Sequence, residues 1–210
     1  MRVGRLSERT GVPIATIKYY LRTGLLHAGL PTSRTQTEYD ESHVRRLTLV
    51  RALLDIGGLS IAHATEVIAA MDDESTSVNE VLSAAQRSVS GFVAAATAVD
   101  RQSAELALDE LVLRQGWQVS AGNPGRAAAV DVLATFQHLD GTDYSDLVRA
   151  AAMAADVVAE ADLQLVRDSD GERDQMVETV VTGTVLGDAL ILALRRMAQE
   201  HHARKQYPQL

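Results

Sequence analysis

Apolar positions in the first third of the chain recur at spacings of three and four and are interrupted at short intervals by glycine. Val3, Leu6 and Val12 bracket a short helix over residues 7–10, with Ser7 as its N-cap and Gly11 as its stop. Pro13 suits the first turn of a second helix, in which Ile14, Ile17, Tyr20 and Leu21 share one face while Thr16, Lys18, Tyr19 and Arg22 lie off it. Gly24 ends that helix. Residues 26–39, with Gly29, Pro31 and several threonines but little periodicity, read as a loop or a short β-ribbon. Asp40 caps a third helix carrying Val44, Leu47, Val50 and Leu54, which Gly57 and Gly58 stop. Ser60 caps a fourth, with Ile61, Ala64, Val67 and Ile68 on its apolar face, and the polar run after Met71 marks a boundary.

The period then changes. Positions 78, 82, 85, 89, 92, 96, 99, 103, 106, 110 and 113 alternate steps of four and three, and only Ser103 and Glu110 among them are not apolar. That heptad predicts one helix within 76–115, whose about 38 residues from Val78 give a length of about 57 Å at 1.5 Å per residue. Its seam, Val78, Leu82, Ala85, Val89, Phe92, Ala96, Val99 and Leu106, has two available partners: a second copy of the chain, or the chain's own C-terminal helices. A second break, rich in glycine, runs from Gly116 to Gly125. Three further helices follow at about 126–139, 144–167 and 172–204, alanine-rich enough for close approach and expected to form a compact bundle. The fold class is mainly α, divided into a head (1–73), a long linker helix (76–115) and a C-terminal helical domain (116–210).

Composition supports this division. Aromatics make up only 4% of the 210 residues against 46% hydrophobic, which argues against a β-sandwich. The absence of cysteine excludes disulfides, thiolate metal sites and a thiol sensor. No uninterrupted apolar run of membrane-spanning length and no signal peptide are evident, so a soluble, cytoplasmic protein with no membrane partner is expected. The net charge of −8 is unevenly spread. Residues 1–57 hold nine Lys/Arg against five Asp/Glu, or +4, and the remainder carries −12. A basic head on an acidic body admits a polyanion partner for the head, or simply a solvated charged face.

Two short helices joined by a tight turn, the second with Thr16, Lys18, Tyr19 and Arg22 on its free face, have the form of a helix-turn-helix that reads double-stranded DNA. A ribbon after it would carry Arg34 and Thr35 along the phosphate backbone. The V-G-x-L start, the TGV turn, the run TIKYYLRTGLL, the wing-closing Tyr39 and the L-x-L-V-R-x-L…GGLS stretch together closely resemble the N-terminal winged-helix domain of MerR-family transcription regulators. The resemblance covers about the first 73 positions. It implies a bacterial regulator that binds an inverted-repeat operator as a homodimer, with RNA polymerase at the promoter as a further partner. It also implies DNA contacts from Thr16, Lys18, Tyr19, Tyr20, Arg22 and Tyr39, and backbone contacts from Arg45 and Arg46. Tyr20 falls on the apolar face as well, where core packing is the alternative. Lys18 stands where the family has arginine, which keeps the charge but loses the bidentate fork. Thr37 stands where the family has a wing arginine, and Arg34 is the available substitute.

Residues 116–210 resemble no family. A regulatory role, through a bound small-molecule effector, is the expectation by analogy with other two-part regulators. Trp117, the single tryptophan, either lines a pocket or anchors the core. Asp188 sits inside the apolar run TVLGDALILAL, where it pairs with an arginine, meets a cationic ligand or emerges on the solvent face. His201 and His202 diverge by about 100° on a helix and cannot chelate together. His27, His43, His63 and His138 are dispersed in sequence, so no metal site and no cofactor are expected, and no nucleophile or phosphate-loop motif points to an enzyme. A ligand-sequestering protein whose head no longer reads DNA is the alternative function, motivated by the departures at Lys18 and Thr37.

Overall fold

Local chemistry sets the element boundaries in the computed structural model of the chain, which describes residues 1–33, 36–89, 98–138, 143–168 and 173–207. Helix α1 (Val3–Thr10) begins four residues earlier than the Ser7 cap implies. Ser7 instead donates from its hydroxyl to the Val12 carbonyl (2.6 Å), which braces the turn, and Gly11 closes α1 in the left-handed conformation at φ 68°. Helix α2 (Ile14–Thr23) follows with Pro13 as its N-cap. Strands β1 (Leu30–Ser33) and β2 (Gln36–Glu38) form the antiparallel ribbon, with Leu30 opposite Glu38. Arg34 and Thr35 lie outside the described residues. Helix α3 (Glu41–Arg51) starts at an Asp40–His43 capping box and runs into one π-helical turn, Ala52–Ile56. Ser60 caps α4 (Ile61–Asp72) as its sequence implies, accepting from the His63 amide at 3.1 Å.

The remaining helices are α5 (Val78–Val89), α6 (Ala98–Gln115), α7 (Pro124–His138), α8 (Ser145–Asp168) and α9 (Arg173–Gln206). The predicted 76–115 helix is described only in its two end segments. Its seam meets different environments. Val78 and Ala85 pack against the chain's own α9, so that part of the seam is already occupied, while Leu82 is half-buried. The side chains of Val89, Phe92, Ala96 and Val99 lie outside the described residues, and Leu106 is exposed. On α6 the buried residues are instead Ala104 and Leu108, which form a separate small core with Val130 and Ala134 of α7.

Head and body share a core. Leu6, Ile17, Leu47, Leu53 and Ile68 of the head form one apolar cluster with Val81 and Ala85 of α5 and Val177, Val181 and Val185 of α9. The approach at Gly57 is so close that a Cβ there would lie 2.2 Å from Val185 Cγ1 and 2.8 Å from the Leu53 carbonyl oxygen. Arg173, at the start of α9, closes the junction by donating to the backbone oxygens of Met71 (3.3 Å), Asp73 (2.6 Å) and Thr76 (2.7 Å). An Arg173→Ala chain leaves those carbonyls without their charged donor and is expected to lose about 1–3 kcal/mol of stability, measured by urea unfolding.

The C-terminal helices pack in pairs, α6 on α7 and α8 on α9, and leave much of their apolar surface open. Among the described residues of α8, only Ala152 and Val166 are buried, and in α9 burial stops after Val185. Alternating apolar spacing identified the helices but not which faces the single chain would cover.

Candidate nucleic-acid interface

Burial divides α2 into two faces. Ile17 and Tyr20 point into the head core, while Lys18, Tyr19 and Arg22 are exposed and Thr16 is half-buried. The Arg22 guanidinium lies 5.9 Å from the centre of the Tyr19 ring, a cation–π distance, and Lys18 has no ion-pair partner among the described residues. The exposed face thus carries two cations, an aromatic edge and no carboxylate, on a helix that fits a major groove about 12 Å wide.

Two expected contacts are core residues instead. Tyr20 and Tyr39 are each 8% exposed. Burial raises the Tyr20 hydroxyl's pKa, so the ring stays neutral. Tyr39 packs edge-on to His43, with ring centres 5.1 Å apart, and its amide donates to the Met1 carbonyl at 2.8 Å. The same tyrosine thus holds the base of the ribbon to the chain start. Arg9 reaches across as a two-pronged partner of Glu41, tying α1 to the start of α3.

The adjacent arginines of α3 have different surroundings. Arg45 is exposed, whereas Arg46 pairs with Asp72 and has one terminal nitrogen buried without a partner. Both line a crevice of about 300 Å³ between α3, the end of α4 and the start of α9. Arg46 is therefore turned inward, away from the backbone-contact role that the resemblance implied.

His27 and His43, sixteen positions apart, meet in space with ring centres 4.0 Å apart, correcting the reading that the histidines are dispersed. Their ring nitrogens and the Asp40 carboxylate lie within 4.8 Å of one another. The Ser42 hydroxyl occupies the middle: it lies 2.9 Å from His27 Nε2 and donates to Asp40 Oδ1. The group is a hydrogen-bonded bracket at the start of α3. Bonds from Ser42 and His43 hold the Asp40 carboxyl far below the usual carboxylate range.

The two proposed effector residues are not brought together. Trp117 donates from Nε1 to Asp156 Oδ1 at 2.6 Å, tying the end of α6 to α8. Among the described residues Asp188 has no arginine or lysine as an ion-pair partner. It is exposed and its charged neighbour is Asp162 of α8, whose carboxylate abuts Gly183 and Gly187. Partial burial, and then the Asp162 charge, raise the Asp188 pKa; burial raises that of Asp162. A carboxyl with a raised folded pKa destabilises the fold once ionised, so stability falls as pH rises from the unfolded value through the folded one. Asp188→Asn is accordingly expected to raise the thermal midpoint at pH 7, with the gain vanishing near pH 4, in parallel melts at the two pH values.

Neither residue lines the larger cavity of the C-terminal helices. That cavity, about 790 Å³, lies between α6, α7 and the start of α8. Its wall includes Leu111, Leu133, Met153 and the stacked rings of Phe136 and Tyr144, with centres 4.3 Å apart and planes 9° from parallel. Only the two aromatics flanking the DGTD break, in a chain with few aromatics, could have signalled it from sequence.

A turn-braced helix pair, a two-stranded wing and an exposed cationic second helix define a winged helix-turn-helix protein. Residues 1–71 match the family described as MerR HTH family regulatory protein, and the chain belongs to that family. Proteins of this family are transcriptional regulators, not enzymes. The chain is 41% identical over 56 residues to nodulation protein NolA of Bradyrhizobium elkanii, covering 27% of this chain and 26% of that protein. It is 31% identical over 81 residues to heavy metal-dependent transcription regulator 2 of Rhizobium meliloti, covering 39% and 54% respectively. These curated relatives thus match chiefly through the head. A crystal structure of a candidate transcriptional regulator, SCO5550 of Streptomyces coelicolor A3(2), is similar across 99% of this chain and 98% of its own, at 34% identity and a TM-score of 0.74.

Proposed function

We propose that this protein is a sequence-specific transcription regulator of the cytoplasm that binds an inverted-repeat operator as a homodimer. The observation that carries the reading is the free face of α2, where Lys18, Tyr19 and Arg22 stand exposed above the buried Ile17 and Tyr20. Lys18 and Arg22 serve phosphates or base edges, Tyr19 a sugar or base edge, and Arg45 the flanking backbone, with the wing beside it. RNA polymerase at the promoter is the further partner.

A small-molecule effector of the C-terminal helices completes the reading. The cavity beside Phe136 and Tyr144 has the size of a ligand site, with apolar side chains beside charged ones such as Glu110, Arg114 and Arg149. The shared core supports a route from body to head, because α9 supplies Val177, Val181 and Val185 to the cluster that also seats Ile17 of α2. An effector shifts the head only as far as its affinity differs between the two arrangements.

The test is selection of purified full-length protein on randomised and genomic duplexes, followed by titration of the recovered site across a salt series. Recovery of an inverted repeat whose binding falls steeply with salt supports the reading. A folded protein that recovers no sequence, with and without candidate ligands, overturns it in favour of ligand sequestration.

A further inference from the structure

Surface area points to a missing partner for the C-terminal helices. The chain exposes 13915 Å², against about 9,500 Å² for a compact monomer of its 22.6 kDa mass. The difference, roughly 4,400 Å² on each chain, exceeds the about 1,000–2,500 Å² per partner that obligate homodimers bury, so an interface of that class fits within it. It is concentrated in large apolar side chains of α8 and the far half of α9: Val157 is 69% exposed, Leu190 60% and Met197 66%.

Leu190 and Met197 belong to a heptad stripe, and α8 carries a second. On α9, Leu186, Leu190, Ala193 and Met197 follow steps of four, three and four. On α8, Leu147, Ala151, Ala154, Val158, Ala161 and Leu165 alternate the same steps over most of a 24-residue helix. Stripes of this period are built to insert side chains between those of another helix. Within one chain, α8 and α9 pack on each other and still leave both stripes largely open.

We infer that the α8–α9 pair is the principal homodimer interface: two copies appose their pairs about a twofold axis, forming a four-helix bundle. This rests on the homodimer reading above and moves its interface away from the 78–106 seam, part of which the chain's own α9 occupies. Charge fits the pairing. Arg195 and Arg196 on α9 have no ion-pair partner among the described residues, while Asp156, Glu160 and Asp162 line α8.

The competing occupant is a lipid bilayer. An 18-residue window of α9 has a mean hydropathy of 1.7, apolar enough to cross a membrane by length and composition. Yet Val177, Val181 and Val185 are already committed to the head core. The stretch left free, 186–198, spans about 20 Å, short of the roughly 30 Å hydrocarbon layer, and carries Asp188, Arg195 and Arg196. A second copy fits that length.

The experiment compares full-length chains by sedimentation equilibrium: wild type, Leu190→Glu/Met197→Glu on α9, and Leu106→Glu/Leu113→Glu on α6. The expected result is a wild-type dimer, an unchanged α6 variant, and an α9 variant whose dissociation constant rises at least roughly a hundredfold. An α6 variant that turns monomeric while the α9 variant stays dimeric overturns this interface and leaves the homodimer reading standing. A monomeric wild type overturns both, and its flotation with phosphatidylcholine/phosphatidylglycerol vesicles would assign the stripe to lipid. If the α9 variant fails to fold, cross-linking decides. The chain has no cysteine, so Leu190→Cys and Leu106→Cys each offer a short bis-maleimide one site. Efficient covalent dimer from position 190 and not from 106 supports the interface, and the reverse overturns it.

Discussion

Replacing Val181 by aspartate is expected to unfold head and body together, in a single transition, rather than to loosen the C-terminal helices alone. Val181 is fully buried on α9 in the cluster that also holds Leu6, Ile17 and Leu47, all likewise fully buried. A carboxylate placed there has no cation within the cluster to pair with, and an uncompensated buried charge costs about 3–5 kcal/mol. For a chain of this size each kcal/mol lowers the midpoint by about 2–4 °C, so a fall of about 6–20 °C follows. Thermal melts followed by far-ultraviolet circular dichroism report the helices throughout. Fluorescence of Trp117 reports the α6–α8 contact through which it meets Asp156. Coincident midpoints, both lowered, are the expected outcome. Two separated transitions, with an α2–α3 head that still binds DNA after the C-terminal helices melt, would overturn the shared core.

That core also marks where the sequence ceased to be legible. The head was readable because its chemistry is local: Gly11 must supply a left-handed turn, Ser60 must cap α4, and three- and four-residue spacing placed Ile17, Leu47, Val67 and Ile68 inward. The start of α1 was misjudged because Ser7 suits an N-cap, and nothing local reveals that its hydroxyl is needed at Val12. Tyr20 and Tyr39 were ambiguous for a physical reason, since tyrosine is both a packing residue and a hydrogen-bond donor, and only burial decides between the two. The convergence of His27 on His43 depends on how the ribbon folds back, which no spacing encodes.

The heptad at 78–113 failed differently. Its period correctly demanded a helical partner, but a helix from the same chain and one from a second copy satisfy the same period. At Val78 and Ala85 the partner is α9, more than 90 positions away along the chain. Conversely, the stripes of α8 and α9 read as the inward faces of a bundle and stand open in the single chain. An apolar stripe fixes that something covers it; surface area is what counts how many copies are needed.

Removing both cations of the exposed α2 face, in Lys18→Ala/Arg22→Ala, is expected to abolish operator binding at moderate salt while leaving the fold intact. Neither side chain enters the core: both are exposed, and Arg22 touches only the outer face of Tyr19. Alanine suits a helix interior at least as well as either residue, so the thermal midpoint should move by no more than a degree or two. Two cations per subunit make four per homodimer. At about 1 kcal/mol per lost contact the penalty is about 4 kcal/mol, close to a thousandfold in affinity. The salt dependence separates this from a general loss of quality, because each phosphate no longer neutralised lowers the slope of log affinity against log salt by about 0.9. Four lost contacts flatten the slope by about 3 to 4, whereas a misfolded fraction leaves the slope unchanged and lowers only the active concentration. The measurement is fluorescence anisotropy on the selected operator from 50 to 300 mM salt (roughly the range over which phosphate contacts dominate). Wild-type slope and affinity in the double variant would remove α2 as the reading helix and place recognition on the wing and Arg45.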